Sequence, residues 1–428
     1  MTIPIPFRNM RDVLGLHAKV SPHKPALIAY DATHTRHEIS YLELVGKAHQ
    51  IANVLFDDLG IARGDRIAVM STNHPHAVIL YFAIWVIGAT VVSVASDTAT
   101  DELVTTLEAS EARLFIASDV LLAQHAPHIP ALPMLEGVIQ IGGRSDAYLR
   151  LEDLASNRPT TFLGDESGAK GTDVPLREGN VRTARLSDPA LINYQYGNPI
   201  TRTQGMLLRD SLILAQHTAF SGNQTALAWL PLHQRFAVSI LAPLSVGGTV
   251  IFTEQANTDD LWRLLVQERA HVSTLDRRTL TALIERAQDH MADGGTRFGH
   301  RIIQQDIKHV RHLLLIDESL NTSQLREFET LFGIPVLTGS THPTDERLLT
   351  LLPITLSWSA HQTWLCDQRI PSVGVALEPL RVLLADGTEA PPDQVGQLAS
   401  RVNGKWERML VPASYRLNSA GDAYFFSW

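Results

Sequence analysis

The stretch from Tyr194 to Gly205, YQYGNPITRTQG, holds the residue types and spacing that most directly suggest chemistry. It is a polar turn carrying Gly197 and Gly205, placed after the apolar run Ala190, Leu191, Ile192 and before Met206, Leu207, Leu208. A glycine-bearing turn after a strand is where many nucleotide-binding folds hold phosphate, because backbone amides must approach the oxygens without side-chain bulk. This turn has no lysine, and Pro199 and Ile200 stand in its middle. Proline offers no N–H and fixes its φ, so it removes a donor where a cradle needs several. Two readings stay open on these residues: a degraded nucleotide loop, or a plain turn between a strand and a helix.

The elements that must position this turn follow from periodicity. From Ser40 to Leu59, apolar residues recur at helical spacing (Leu42, Leu44, Ala48, Ile51, Ala52, Leu55). Ser40 reads as the N-cap, Glu43 completes a capping box and Gly60 ends the helix. Arg66 to Met70 reads as a buried strand, a helix follows from His76, and Ala89 to Val94 is the next strand. Asp101 to Glu111 reads as an amphipathic helix and Arg113 to Ala117 as a further strand, an alternation that predicts a doubly wound sheet. The uncharged run His76 to Ser96 is long enough for a membrane-span candidate. Gly88 divides it into a helical half, Ala77 to Ile87, and a β-branched half, Thr90 to Val94, so we read a buried helix turning into a buried strand and expect no membrane span.

Asn157 to Asp188 is polar and without period, and reads as an exposed connection. The α/β pattern resumes at Ala190 and continues through strands at Ala226–Leu232, Thr249–Phe252, His271–Leu275 and Arg311–Ile316, with helices at Asp259–Arg269 and Ser323–Leu331. After Leu352 come short β-prone pieces, including Leu380–Ala385 and Gly396–Val402. The expected organisation is α/β: two doubly wound lobes, 1–188 (with the connection 157–188) and 189–352, plus a small β-barrel-like lobe, 353–428. With 428 residues, 45% hydrophobic, the chain can bury a large core. A formal charge of −9 leaves no basic face that would call for a nucleic-acid partner. The single cysteine, Cys366, excludes an internal disulfide framework and a cysteine-rich zinc site. With no signal-peptide pattern at the N-terminus, the expected compartment is the cytoplasm.

The order of these segments resembles the large N-terminal domain of the adenylate-forming enzymes: acyl-CoA synthetases, fatty acyl-AMP ligases and adenylation domains. The resemblance is carried by ISYLELVGKAHQIANVL, GIARGDRIAVM followed by AVILYFAIWVIGATVVSV, ALAWLPLHQRFAVSILAPLSVGGTVIF, FGIPVLTGSTHPTDE and SVGVALEPLRVLLADGTEAPPDQVGQL. It runs from SPHKPALIAY to AGDAYFF. It implies a reaction joining a carboxylate to ATP, with magnesium, to give an acyl adenylate and pyrophosphate. The opening stretch falls at the family's Y-T-S-G-T-T-G-x-P-K-G loop, with Tyr194, Gly197 and Gly205 matching and the segment one residue longer. Thr201 falls within this implied nucleotide loop, Thr203 or Gln204 stands at the lysine position, and Arg202 is the candidate substitute cation.

The same resemblance places His233, Gln234 and Phe236 of WLPLHQRFA, together with Gly339, at the acyl pocket, although a lone histidine at a strand end is more often a hydrogen-bonded structural residue. It places Glu318, Ser340 and Thr341 at the nucleotide, Ser340 standing where the family has a stacking tyrosine. Asp345 and Glu346 fall at the magnesium-binding glutamate, and they also read as solvated loop acids. Asp422, in AGDAY, falls at the ribose-binding aspartate, and Gly-Asp also makes an ordinary turn. The family continues into a C-terminal small domain that carries a catalytic lysine, and we expect this chain to lack it.

Three functions follow as expectations. The first is a member that is catalytically degraded on its own and binds a small acyl or aryl ligand, a nucleotide fragment, or a protein partner such as a carrier protein or synthase. The second is an active acyl-adenylating ligase that obtains a separate small domain from another polypeptide. The third is a structural subunit without a ligand. The residues specify no oligomeric state.

Overall fold

The structure is a computed structural model and describes residues 4–31, 33–143, 146–162, 184–195, 197–253, 258–292, 307–318, 321–342, 344–365, 371–402, 405–409, 414–417 and 424–427. Two compact units form. One comprises Ile5–Arg209 with Pro231–Gln255, the other Met1–Pro4, Asp210–Leu230 and Ala256–Trp428.

The first unit is built on a six-stranded sheet with the order Gly137–Ile141, Leu114–Ser118, Arg66–Met70, Thr90–Val94, Pro189–Gln195, Asn198–Thr203. All neighbours are parallel except the last pair. The central strands are continuous apolar runs, as strands covered on both faces must be. The chain leaves Arg66–Met70 toward Thr90–Val94 on one side, then crosses back to Leu114–Ser118 on the other. The C-terminal ends of Arg66–Met70 and Leu114–Ser118 therefore flank the point where the winding reverses, the place where open α/β sheets leave a crevice.

Between the first two of these strands in the chain lies the helix Pro75–Ile87, in which every residue except His76 is buried. Gly88 ends it at φ 83°, and a Cβ there would come within 2.9 Å of Arg63 Cγ. The long apolar run is thus a core helix and a core strand joined at a position where only glycine fits, and no helix among the described residues is long and apolar enough to cross a membrane. The helix Tyr41–Asn53 starts on the Ser40–Glu43 capping box and continues as a π-turn, Val54–Asp58. Thr249–Thr253 pairs parallel with Pro25–Tyr30, which pairs antiparallel with Arg36–Ser40.

The second unit contains the parallel strands Thr225–Ala228, Val272–Thr274, His312–Ile316 and Val336–Thr341. These are extended by antiparallel strands Leu348–Leu351, Ser372–Ala376, Tyr424–Ser427 and Ser414–Leu417. A separate three-stranded antiparallel sheet, Leu380–Leu383, Gln397–Val402 and Lys405–Arg408, closes on Leu349, Val373, Met409 and Tyr415. The molecule is thus of α/β class, with two mixed sheets and a small antiparallel one.

Candidate functional site

Residues 194–205 form no open loop. Pro189–Gln195 and Asn198–Thr203 are an antiparallel hairpin, with Gln195 opposite Asn198 and Tyr194 opposite Pro199, so two residues connect them. Gly197, at φ 78°, supplies the left-handed conformation that such a tight connection needs. The pattern Ile200 buried, Thr201 exposed, Arg202 buried is the two-residue alternation of a strand. Proline is tolerated at position 199 because Asn198–Thr203 is the edge of the sheet. The ladder takes up alternate amides, and those left over point outward along a line instead of converging on one point.

The residues around the lysine position are committed to the fold. Gln204 is 0% exposed: its Oε1 accepts from the Met10 amide at 2.8 Å and its Nε2 donates to the Trp85 carbonyl at 3.0 Å. The Gln204 amide donates to the Asp188 carbonyl and the Gly205 amide to the Leu186 carbonyl. Thr203 Oγ1 accepts from the Met206 amide at 3.2 Å, as an N-cap does. Arg202 is 5% exposed, with Nη2 at 3.4 Å from the Met206 carbonyl. Asp188 in turn accepts from Arg63 Nε at 2.8 Å and from the Arg185 amide at 2.8 Å.

In WLPLHQRFA, the Leu232 amide donates to Asn73 Oδ1 at 2.9 Å, which pins the segment beside the end of strand Arg66–Met70. His233 is half-buried, and burial lowers its imidazole below the usual range while Asp97 opposes that shift. Its Nε2 stands 3.2 Å from Gln234 Nε2, and Gln234 is exposed. Phe236, 2% exposed, stacks on Tyr81 at 4.9 Å and meets Trp85 edge-on at 5.4 Å. It is a core anchor of the first unit, with its neighbours on the helix Pro75–Ile87.

In the second unit, Asp317 (φ 57°) accepts from the Thr341 amide at 2.7 Å and from Thr341 Oγ1 at 2.5 Å. Ser340 is 0% exposed, its hydroxyl 2.7 Å from Thr350 Oγ1, so it faces the strand Leu348–Leu351. Gly339 is required by packing, since a Cβ would lie 2.7 Å from the Thr350 carbonyl oxygen and 3.0 Å from Ile316 Cδ1. Glu318 accepts from the Arg277 amide at 3.1 Å, at the start of the helix Arg277–Ala292. Asp345 is ion-paired with Arg347, which also reaches Glu378 at 3.0 Å and Ser400 Oγ at 3.1 Å. Glu346, at φ 53°, follows in the turn whose amide returns to the His342 carbonyl. Asp422 lies outside the described residues.

These contacts test what an ATP–magnesium site would require. Asn198–Thr203 is paired as an edge strand, Asp345 is engaged by a guanidinium, and among the described residues no group of three or more His, Cys, Asp or Glu stands where it could hold a metal ion. The arrangement does not fit a resident magnesium ion built from protein groups. Arg347, Asp317 and Asn73 organise these segments, yet none stands out in the sequence, because each acts through partners distant in the chain.

The architecture is mixed α/β with an added antiparallel sheet, and the candidate residues are divided between the two units. Residues 16–405 match the AMP-binding enzyme family, and the chain belongs to it. A stretch of 111 residues, 26% of this chain, is 35% identical to the crotonobetaine/carnitine–CoA ligase of Escherichia coli and covers 21% of that protein. The match thus spans about a fifth of that curated relative's length. The fold is similar to a long-chain-fatty-acid-CoA ligase of Archaeoglobus fulgidus, with TM-score 0.80, 16% identity, and coverage of 99% of this chain and 85% of that one. It is also similar to an anthranilate CoA ligase crystallised with anthranoyl-AMP, with TM-score 0.77, 16% identity, and coverage of 99% and 77%.

Proposed function

We propose that this chain recognises a small carboxylic acid, acyl or aryl, or its adenylate, and that alone it does not hold ATP in reacting geometry. The observation that carries the second half is the hairpin: Asn198–Thr203 is paired strand where a triphosphate would need a ring of free amides. Charge developing on leaving pyrophosphate needs donors already aimed at it, and an edge strand does not aim them. The ligand class comes from the relatives, which act on carnitine-type, long-chain and aromatic acids by their names.

The second reading is an active ligase that makes acyl-AMP and pyrophosphate from a carboxylate and ATP. It is favoured by the comparisons, since the family match and the structural likenesses all run to ligases, and they support it better than they support an impaired member.

Carboxylate-dependent exchange of labelled pyrophosphate into ATP, run on the chain alone with fatty and aryl acids, separates the two. The first reading expects no exchange, together with a melting temperature raised by an acyl-AMP analogue but not by magnesium–ATP. Exchange above background overturns it and establishes the second reading. A carrier protein or synthase as the natural partner would be sought by the same thermal measurement with purified candidates.

A further inference from the structure

The N-terminus of the helix Pro75–Ile87 is capped in an unusual way. Helix starts leave amides that need acceptors, and Ser, Thr, Asp or Asn normally supply them. Here the cap is His74, whose Nδ1 accepts from the His76 amide at 3.2 Å. An imidazole nitrogen accepts only while it carries no proton, so protonation turns this acceptor into a donor aimed at an N–H. It also puts positive charge at the positive end of the helix dipole. The adjacent residue, Asn73, is the one that holds the Leu232 amide at 2.9 Å. One turn therefore secures both a largely buried helix of the first unit and the segment carrying His233 and Gln234.

We propose that Asn73–His74 is a proton-sensitive latch: neutral His74 keeps the helix start closed and the 231–236 segment held through Asn73, and protonated His74 releases both.

The surroundings of His74 set its charge. The ring packs edge-on against His76 at 4.6 Å, and His76 Nδ1 lies against Glu152 Oε1. Glu152 is fixed by the Gly142 amide at 2.8 Å and lies 3.8 Å from Arg150 Nε. Gly142, at φ 62°, lies beside the ring, where a Cβ would make ordinary contact at 3.4 Å with His74 Cε1. Asp119, at the end of strand Leu114–Ser118, and His37, on strand Arg36–Ser40, complete the charged neighbours of His74. Burial first, then His76 and His37, push the His74 imidazole down to about 4, while Glu152 and Asp119 oppose this. His233, with Asp97, is the other titrating group near the held segment.

The sign follows from linkage. Opened, His74 has its ordinary affinity for a proton; closed, it has less, so opening takes up a proton between pH 6.5 and about 4. Amide hydrogen exchange on the ligand-free protein, corrected for intrinsic rates, reads this directly. Protection of the peptides spanning 74–78 and 231–236 is expected to fall about tenfold from pH 6.5 to 5. In His74→Asn, which keeps an acceptor cap without a titrating group, protection should stay flat. His74→Ser serves equally should that variant fold poorly. An unchanged decline in either folded variant would place the titration elsewhere, at His233 for example, and overturn the latch. Any effect of the latch on ligand binding rests on the carboxylate reading above. Exchange is measured without ligand, so either can fail while the other stands.

Discussion

Gln204 and Met10, nearly two hundred residues apart in the chain, are joined by a 2.8 Å hydrogen bond from the Met10 amide to Gln204 Oε1, inside the first unit. Gln204, one of the two residues the resemblance offers for the family's lysine position, is therefore a structural clamp between the helix Met10–Val20 and the end of the helix Pro75–Ile87.

Putting the lysine back should not restore a phosphate site. Gln204→Lys removes the acceptor for the Met10 amide and places a charge at a position that is 0% exposed. An unpaired buried amide and an unpaired buried cation together should lower stability by about 2–5 kcal/mol. Urea unfolding measures this. A variant as stable as the parent would show that the side chain reaches solvent, and would reopen the position to phosphate.

Phe236 separates an acyl-pocket role from a core role. Its ring is 2% exposed and packed on Tyr81 and Trp85. Phe236→Ala should cost about 3–5 kcal/mol in equilibrium unfolding. A pocket-lining ring would instead lose ligand affinity with little change in stability.

How much of this was legible depends on where each signal lay. The elements of the first sheet show in the sequence because their periodicity is local: Arg66–Met70 is found at the expected bounds, the strand expected over Ala89–Val94 begins one residue later at Thr90, and the Ser40–Glu43 box starts its helix. The helix Arg277–Ala292 is not among the expected elements, although Leu280, Leu283 and Ile284 carry its apolar face. The strand Asn198–Thr203 is hidden in the sequence because it opens on Asn198 and Pro199, both poor strand formers, and its stability comes from pairing with Pro189–Gln195. Individual partners were out of reach altogether: nothing in the residues near Thr341 announces Asp317, nor does anything near Leu232 announce Asn73. Family position located these segments, while the contacts that decide what each side chain does are long-range.

Glu329 illustrates such a contact and its cost when broken. At 2% exposure it accepts from the Val336 amide at 2.8 Å, pairs with His361 Nε2 at 2.6 Å and accepts from Gln362. It ties the helix Thr322–Phe332 to the helix Trp358–Leu365. Glu329→Ala should destabilise by about 3–5 kcal/mol, because it leaves buried donors without an acceptor. Glu329→Gln, which keeps one acceptor oxygen, should lose markedly less. Equal losses in chemical denaturation would mean that charge, not hydrogen bonding, holds the two helices.

His312 gives the second unit its own acid sensitivity. It begins the strand His312–Ile316, is 0% exposed, and neither ring nitrogen has a hydrogen-bond partner among the described residues. Burial, and then the Arg311 charge, push its imidazole down to about 3. The folded form therefore refuses a proton that the unfolded chain accepts near pH 6.5. Stability is full above pH 6.5 and is lost as the pH falls toward 3, at up to about 1.4 kcal/mol per pH unit. His312→Leu removes the titrating group and two unsatisfied buried nitrogens while filling similar space. At pH 7.5 the variant should be at least as stable as the parent. Between pH 6 and 4 its unfolding free energy should decline less steeply, by about one proton's worth. Parallel stability–pH curves for the two proteins would show that the imidazole is protonated and paired in the folded state.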